Sequence, residues 1–136
     1  MFGTLWTTDV GALRYTRADE HWLVTRGGGD IVGTIRVREL APSPALFHQY
    51  VTRWRGRPPE EWWGRYEGAF KAEMKNPVVM EALRRLYRRL QDGTNVALVC
   101  YCRDPEHCHR SLLGDFLSNH GVTVLEACRQ RSLRLL

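Results

Sequence analysis

Lysine is nearly absent from this chain: only Lys71 and Lys75 stand among its 20 basic residues, and the rest are arginine. No apolar run approaches the roughly 20 residues that a membrane-spanning helix needs, which argues against such a helix and against a membrane partner. The opening stretch has no basic residue before Arg14 and is interrupted by Asp9, so it lacks the pattern of an export signal and a cytoplasmic protein is expected. Internal repeats, low-complexity segments and interdomain linkers are also missing. A length of 136 residues suffices for one hydrophobic core but not for two, so residues 1–136 read as a single domain.

What is present begins with charge. Arginine favours bidentate contacts with phosphate and carboxylate, although a compositional bias with solvated helix faces produces the same excess. A net charge of +5 and a pI near 9.3 keep a nucleic-acid partner in view without arguing for one. In a chain without an export signal, four cysteines read as reduced thiols, with chemistry or metal binding ahead of disulfides.

Along the chain, Leu5–Thr8 has strand character, and His21–Thr25 and Ile31–Val37 flank Arg26-Gly27-Gly28-Gly29-Asp30. Three glycines permit a hairpin-like turn or a loop. No Lys-Ser/Thr pair follows them, so a nucleotide-cradling loop of the usual kind is not indicated. Ser43-Pro44 caps a helix with Leu46, Phe47, Tyr50, Val51 and Trp54 on one face. A second helix follows Pro58-Pro59, with Trp62, Trp63, Tyr66, Phe70 and Met74 at helical spacing, an aromatic stripe that suits a core better than a base-stacking platform. Asn76-Pro77 opens a third helix, ended by Gly93, whose outer face carries Arg84, Arg85, Arg88 and Arg89. That patch is either a solvated face or a low-specificity nucleic-acid contact. Val96–Tyr101 and Val122–Leu125 read as strands around a fourth helix that ends at Gly121, and Arg129, Arg131 and Arg134 decorate the tail.

The densest chemistry lies between Cys100 and Arg110, where Cys100, Cys102, Cys108, His107, His109, Arg103 and Arg110 share one strand-to-helix turn. Ligands of open α/β sheets gather at such carboxyl ends of strands. Cys100 and Cys102, two apart, would share a strand face. Asp104-Pro105 either caps the helix directly or makes a turn that delays it to about Cys108. At a helix start Cys108 lies among unpaired amides, beside His107, His109 and Arg110, which favours a thiolate nucleophile. The alternative is a small buried hydrophobe, since Cys108, Leu112 and Phe116 share a face. Arg110 reads as a holder of an anion or as a loop anchor through Asp104 or Glu106, and His109 as a proton-transfer group or a structural donor. Cys100, Cys102 and Cys108 with a histidine offer a zinc set, but their spacing is not that of zinc knuckles, so no metal and no cofactor is expected. A Cys102–Cys108 redox pair is a further reading.

The run Val96-Ala97-Leu98-Val99-Cys100-Tyr101, followed by Asp104-Pro105 and Cys108-His109-Arg110, resembles the small bacterial and archaeal proteins grouped as domain of unknown function family 488. Thr4–Thr8, Thr34–Arg38 with Pro42, and Trp63, Tyr66 and Phe70 are similar to further parts of that family. The resemblance implies a compact α/β fold with a small, largely parallel sheet, and it groups Cys100, Cys108, His109, Arg110 and Arg38 around one pocket. It implies no particular activity. Cys102 stands where relatives often carry an acid, so a general-base role for that acid does not carry over.

The expected fold is therefore α/β, a Rossmann-like three-layer arrangement with a mostly parallel sheet of about four strands flanked by helices, and with an N-terminal hairpin as an option. The leading functional expectation is a small enzyme acting on a phosphorylated or anionic substrate, with Cys108, His109 and Arg110 catalytic and Arg38, Cys100 and Cys102 binding the substrate. Its rivals are a non-catalytic nucleotide or nucleic-acid binding module and a metal- or redox-responsive thiol protein.

Overall fold

A computed structural model describes residues 1–127. Five strands, β1 (Leu5–Asp9), β2 (Glu20–Leu23), β3 (Ile35–Arg36), β4 (Val96–Cys100) and β5 (Val124–Ala127), form one sheet in the order β3-β2-β4-β1-β5. Every pairing is parallel, with Leu5 opposite Val96 and Val124, and Trp22 opposite Leu98 and Ile35. β4 is central and buried along its whole length, as its unbroken apolar run requires of a parallel strand covered on both faces.

Four α-helices, α1 (Pro44–Gln49), α2 (Trp63–Glu73), α3 (Pro77–Gln91) and α4 (His109–Ser118), contribute to one core with Leu5, Val96 and Leu98 from the sheet. Their starts follow local chemistry. Ser43 Oγ accepts from the Leu46 amide at 3.1 Å, and Asn76 Oδ1 from the Val78 amide at 2.9 Å, satisfying donors that a helix start leaves free. Ala82, Leu83, Leu86 and Leu90 bury one stripe of α3. The alternate residues of the strands build a smaller core on the other face, where Leu23, Ala97 and Val99 meet Val10 and Leu13 of a 3₁₀ helix over Val10–Tyr15. No described helix is long and apolar enough to cross a membrane.

Two features settle or refine what the sequence left open. The segment around the three glycines is not a hairpin: β2 and β3 run parallel, and residues 24–34 travel back along the sheet edge to connect them. A hairpin would pair the loop's carbonyls across an antiparallel ladder; here the Arg36 side chain collects them instead. Only Ile35–Arg36 of the expected strand 31–37 pairs, which adds a short fifth strand at the edge. α1 is also prolonged by a π-helical turn over Tyr50–Trp54, closed by the Arg55 amide donating to Tyr50 O at 2.8 Å. The tail arginines 129, 131 and 134 lie outside the described residues.

Candidate active site

β4 ends at Cys100, so Cys102 stands past the strand in the following turn and does not share a strand face with Cys100. Asp104 then caps a single 3₁₀ turn, Pro105–His107, by accepting from the Glu106 amide at 3.0 Å, and α4 is delayed until Cys108 occupies its N-cap. Ser111 Oγ donates to Pro105 O and locks this turn to the first turn of the helix. Gly114 lets α4 descend onto the sheet: a Cβ there would lie 3.1 Å from Val124 and 3.3 Å from Thr7. That close approach brings α4 over β1 and β5, within reach of the carboxylate on β5.

The result is a buried set of groups around one sulfur. Cys108 is 3% exposed, His109 5% and Arg110 0%. Cys108 Sγ lies 3.5 Å from Cys100 Sγ, 3.5 Å from Arg110 Nη1 and 3.8 Å from His109 Nδ1. Arg110 is itself held by Glu126, through Nε and Nη2 at 3.2 Å each, and also donates to Cys102 O. Thr7 Oγ1 donates to Glu126 at 2.6 Å and fixes the carboxylate. A guanidinium with no exposure is tolerated because Glu126, Cys102 O and Cys108 Sγ give each of its three nitrogens a partner. His109 Nε2 donates to Val24 O at 2.6 Å, so in the neutral ring Nδ1, the nitrogen facing Cys108, is the bare one.

The electrostatics follow from these contacts. Burial works against the His109 imidazolium, but the adjacent Cys108 sulfur and the Val24 carbonyl outweigh it and raise its pKa above the ordinary value. The hydrogen bond with Cys108 lowers the Cys100 thiol against its burial, whereas Cys108 and burial together push Cys102 far up. His109 Nδ1 and Arg110 Nη1 both approach Cys108 Sγ, and Cys108 Sγ in turn donates to Cys100 Sγ.

Cys100, Cys102, Cys108 and His109 line a cavity of about 480 Å³ at the carboxyl ends of β2 and β4. The chain leaves β2 outward towards β3 and leaves β4 towards α4 on the opposite side, and this divergence opens the crevice expected of a parallel sheet. Phe47, Tyr50, Trp62 and Tyr66 make its apolar wall, Gly27–Gly29 and Tyr101 one rim, and Arg26 and Arg55 its cationic groups. Trp62 and Tyr66 thus serve the core and the cavity together. Burial raises the Tyr50 and Tyr66 phenols above their usual range, so both face the cavity as neutral hydroxyls.

Of the residues singled out in the sequence, the structure brings Cys100, Cys102, Cys108 and His109 to this cavity, with Arg110 packed behind the sulfur as a partner of Glu126. Arg38 is exposed and does not line it. Arg84 and Arg88 pair with Glu81, Arg85 with Glu39 and Arg89 with Glu20, so each cation of the α3 face has a carboxylate neighbour. Among the described residues, Cys100, Cys108 and His109 hold ligand atoms within 4.8 Å of one another. The donor types suit zinc, but the Arg110 guanidinium against Cys108 occupies the same sulfur with a competing cation. Sequence reasoning missed Arg26, Arg36, Arg55 and Glu126. Only Glu126 carried a signal, as a lone acid within an apolar strand.

A family model described as DUF488-N3a, the active DUF488-N3 subclade, matches residues 19–121. That span takes in β2 to α4 and every residue of the sulfur environment except Glu126 and Thr7. No curated protein and no solved structure matches.

Proposed function

The chain belongs to the DUF488 family, and from that premise we propose that it is a thiol enzyme that acts on an anionic substrate bound in the cavity. One observation carries the reading: Cys108 Sγ faces a cavity while touching an imidazole nitrogen and a guanidinium. A structural cysteine needs neither contact, and each of them favours a thiolate.

In this reading His109 Nδ1 takes the Cys108 proton, with Nε2–H anchored on Val24 O. Arg110, held in place by Glu126, stabilises the sulfur's charge and is a positioning group with no direct hold on substrate. The sulfur attacks an electrophilic centre of the substrate, and the imidazolium returns its proton to the leaving group. Water then releases the sulfur adduct. The apolar wall accepts the planar or hydrophobic part of the substrate, and Arg26 and Arg55 face its anionic part.

Iodoacetamide labelling with peptide mapping tests this. Cys108 is expected to react about tenfold faster than Cys102, although Cys102 is the more exposed, because Cys102 stays protonated. His109→Ala is expected to slow Cys108 selectively. A Cys108 that remains unlabelled in the folded protein sinks the proposal.

A further inference from the structure

The six residues from Thr25 to Asp30 have lopsided hydrogen bonding. Their carbonyls converge on one side chain: Arg36 Nη1 donates to Thr25 O at 3.2 Å and Gly27 O at 3.0 Å, and Nη2 to Gly28 O at 3.0 Å and Gly29 O at 2.9 Å. Tyr101 adds a further donor, its hydroxyl meeting Gly29 O at 2.7 Å. Their amides are the opposite case: none of the backbone N–H groups of residues 25–30 donates to an acceptor among the described residues. In a trans peptide the N–H of one residue points opposite to the carbonyl of the residue before it, and no peptide here is cis. The N–H groups of Arg26, Gly28, Gly29 and Asp30 therefore face away from Arg36. Arg26 to Gly29 line the cavity and Arg36 does not, which puts the guanidinium behind the loop and the free amides on the side of the opening.

We propose that the Arg26–Asp30 loop is an oxyanion cradle, its backbone amides together with Arg26 binding the phosphate group of the substrate while Arg36 holds the loop in shape. Successive free amides in a turn form an anion-binding nest, and Arg36 on the carbonyl ends of four of these peptides orients their dipoles with the positive end outward. Gly28 has φ +83°, and a Cβ on it would come within 2.5 Å of the Tyr101 ring, so the wall of the cradle tolerates no side chain there. The His109–Val24 hydrogen bond ends two residues before Arg26, which ties the cradle to the sulfur's proton partner. The inference rests on the reading of the cavity as the site for an anionic substrate, and it names phosphate as the anion and the loop as its holder. Arg110 is excluded from that task by Glu126.

Titration of the ¹⁵N-labelled full chain, as Cys108→Ser to prevent oxidation, with inorganic phosphate tests the proposal. The Gly28, Gly29 and Asp30 amide resonances are expected to shift saturably, and Gly28→Ala to weaken that binding at least tenfold. Arg36→Lys, which keeps the charge but not the four-carbonyl fork, is expected to weaken it likewise, with the α4 resonances unchanged. If phosphate moves no loop amide, or moves only the first-turn amides of α4, the cradle is overturned. Should Arg36→Lys lose the folded spectrum, Gly28→Ala and the unsubstituted loop still decide. Alkylation of Cys108 in the unsubstituted chain is read separately. An indifferent loop with a reactive thiol overturns this inference alone, and an inert thiol overturns the enzyme proposal alone.

Discussion

Arg110 and Glu126 form a bidentate pair across the α4–β5 packing, with both nitrogen–oxygen distances at 3.2 Å and the arginine fully buried. The pairing makes Arg110 part of the scaffold that holds the reactive sulfur. Removing one member leaves the other charge buried, and Glu126→Ala is expected to lower unfolding stability by about 3–5 kcal/mol. Urea denaturation measures it. A loss below about 1 kcal/mol would mean that the pair is open to water.

His109 links stability to pH. Its folded-state pKa is raised above the ordinary 6.5, so its contribution is complete below that value and disappears as pH rises through the folded one. Denaturation midpoints measured from acidic to alkaline pH should fall over this window in the native sequence. His109→Gln should flatten that fall. Equal slopes in both proteins would refute the imidazolium assignment.

Cys100 and Cys108, with sulfurs 3.5 Å apart, are also poised for oxidation. Diamide, taking one hydrogen from each thiol, is expected to join these two and to abolish iodoacetamide labelling of Cys108 until dithiothreitol is added. Mapping the bridge to Cys102–Cys108 instead would show that the turn past β4 rearranges.

The arginine face of α3 should matter little to polyanions. Glu20, Glu39 and Glu81 already pair with it. Arg84→Ala with Arg88→Ala is expected to leave the salt dependence of any nucleic-acid binding unchanged. A slope reduced by about 0.9 per arginine would establish direct phosphate contacts instead.

Local chemistry was legible in the sequence, and partnership across the sheet was not. Ser43, Asn76 and the apolar stripe of α3 announce their helices because cap and periodicity act within a few residues. Cys108, His109 and Arg110 announce a site for the same reason. Glu126 becomes the partner of Arg110 only because β5 pairs with β1 beneath α4, a relation between segments far apart in the chain. The glycine segment left hairpin and loop open because three glycines permit a turn in either sense, and strand direction is decided by which neighbours β2 and β3 find. Arg36 carried no mark of its own, since its role exists only once six backbone and side-chain acceptors of the loop, the Asp30 carboxylate among them, surround it.

The wide turn at Tyr50–Trp54 makes the cavity wall depend on residue count. Its bond from Arg55 N to Tyr50 O spans one residue more than an α-helical bond. Trp54 therefore faces the core while Tyr50 and Arg55 both reach the cavity. Shortening this segment by a single amino acid would restore ordinary helical winding and swing whatever follows by about 100° around the axis. A deletion there, conservative by any measure of composition, would carry the guanidinium off the rim with Arg55 itself still in the chain.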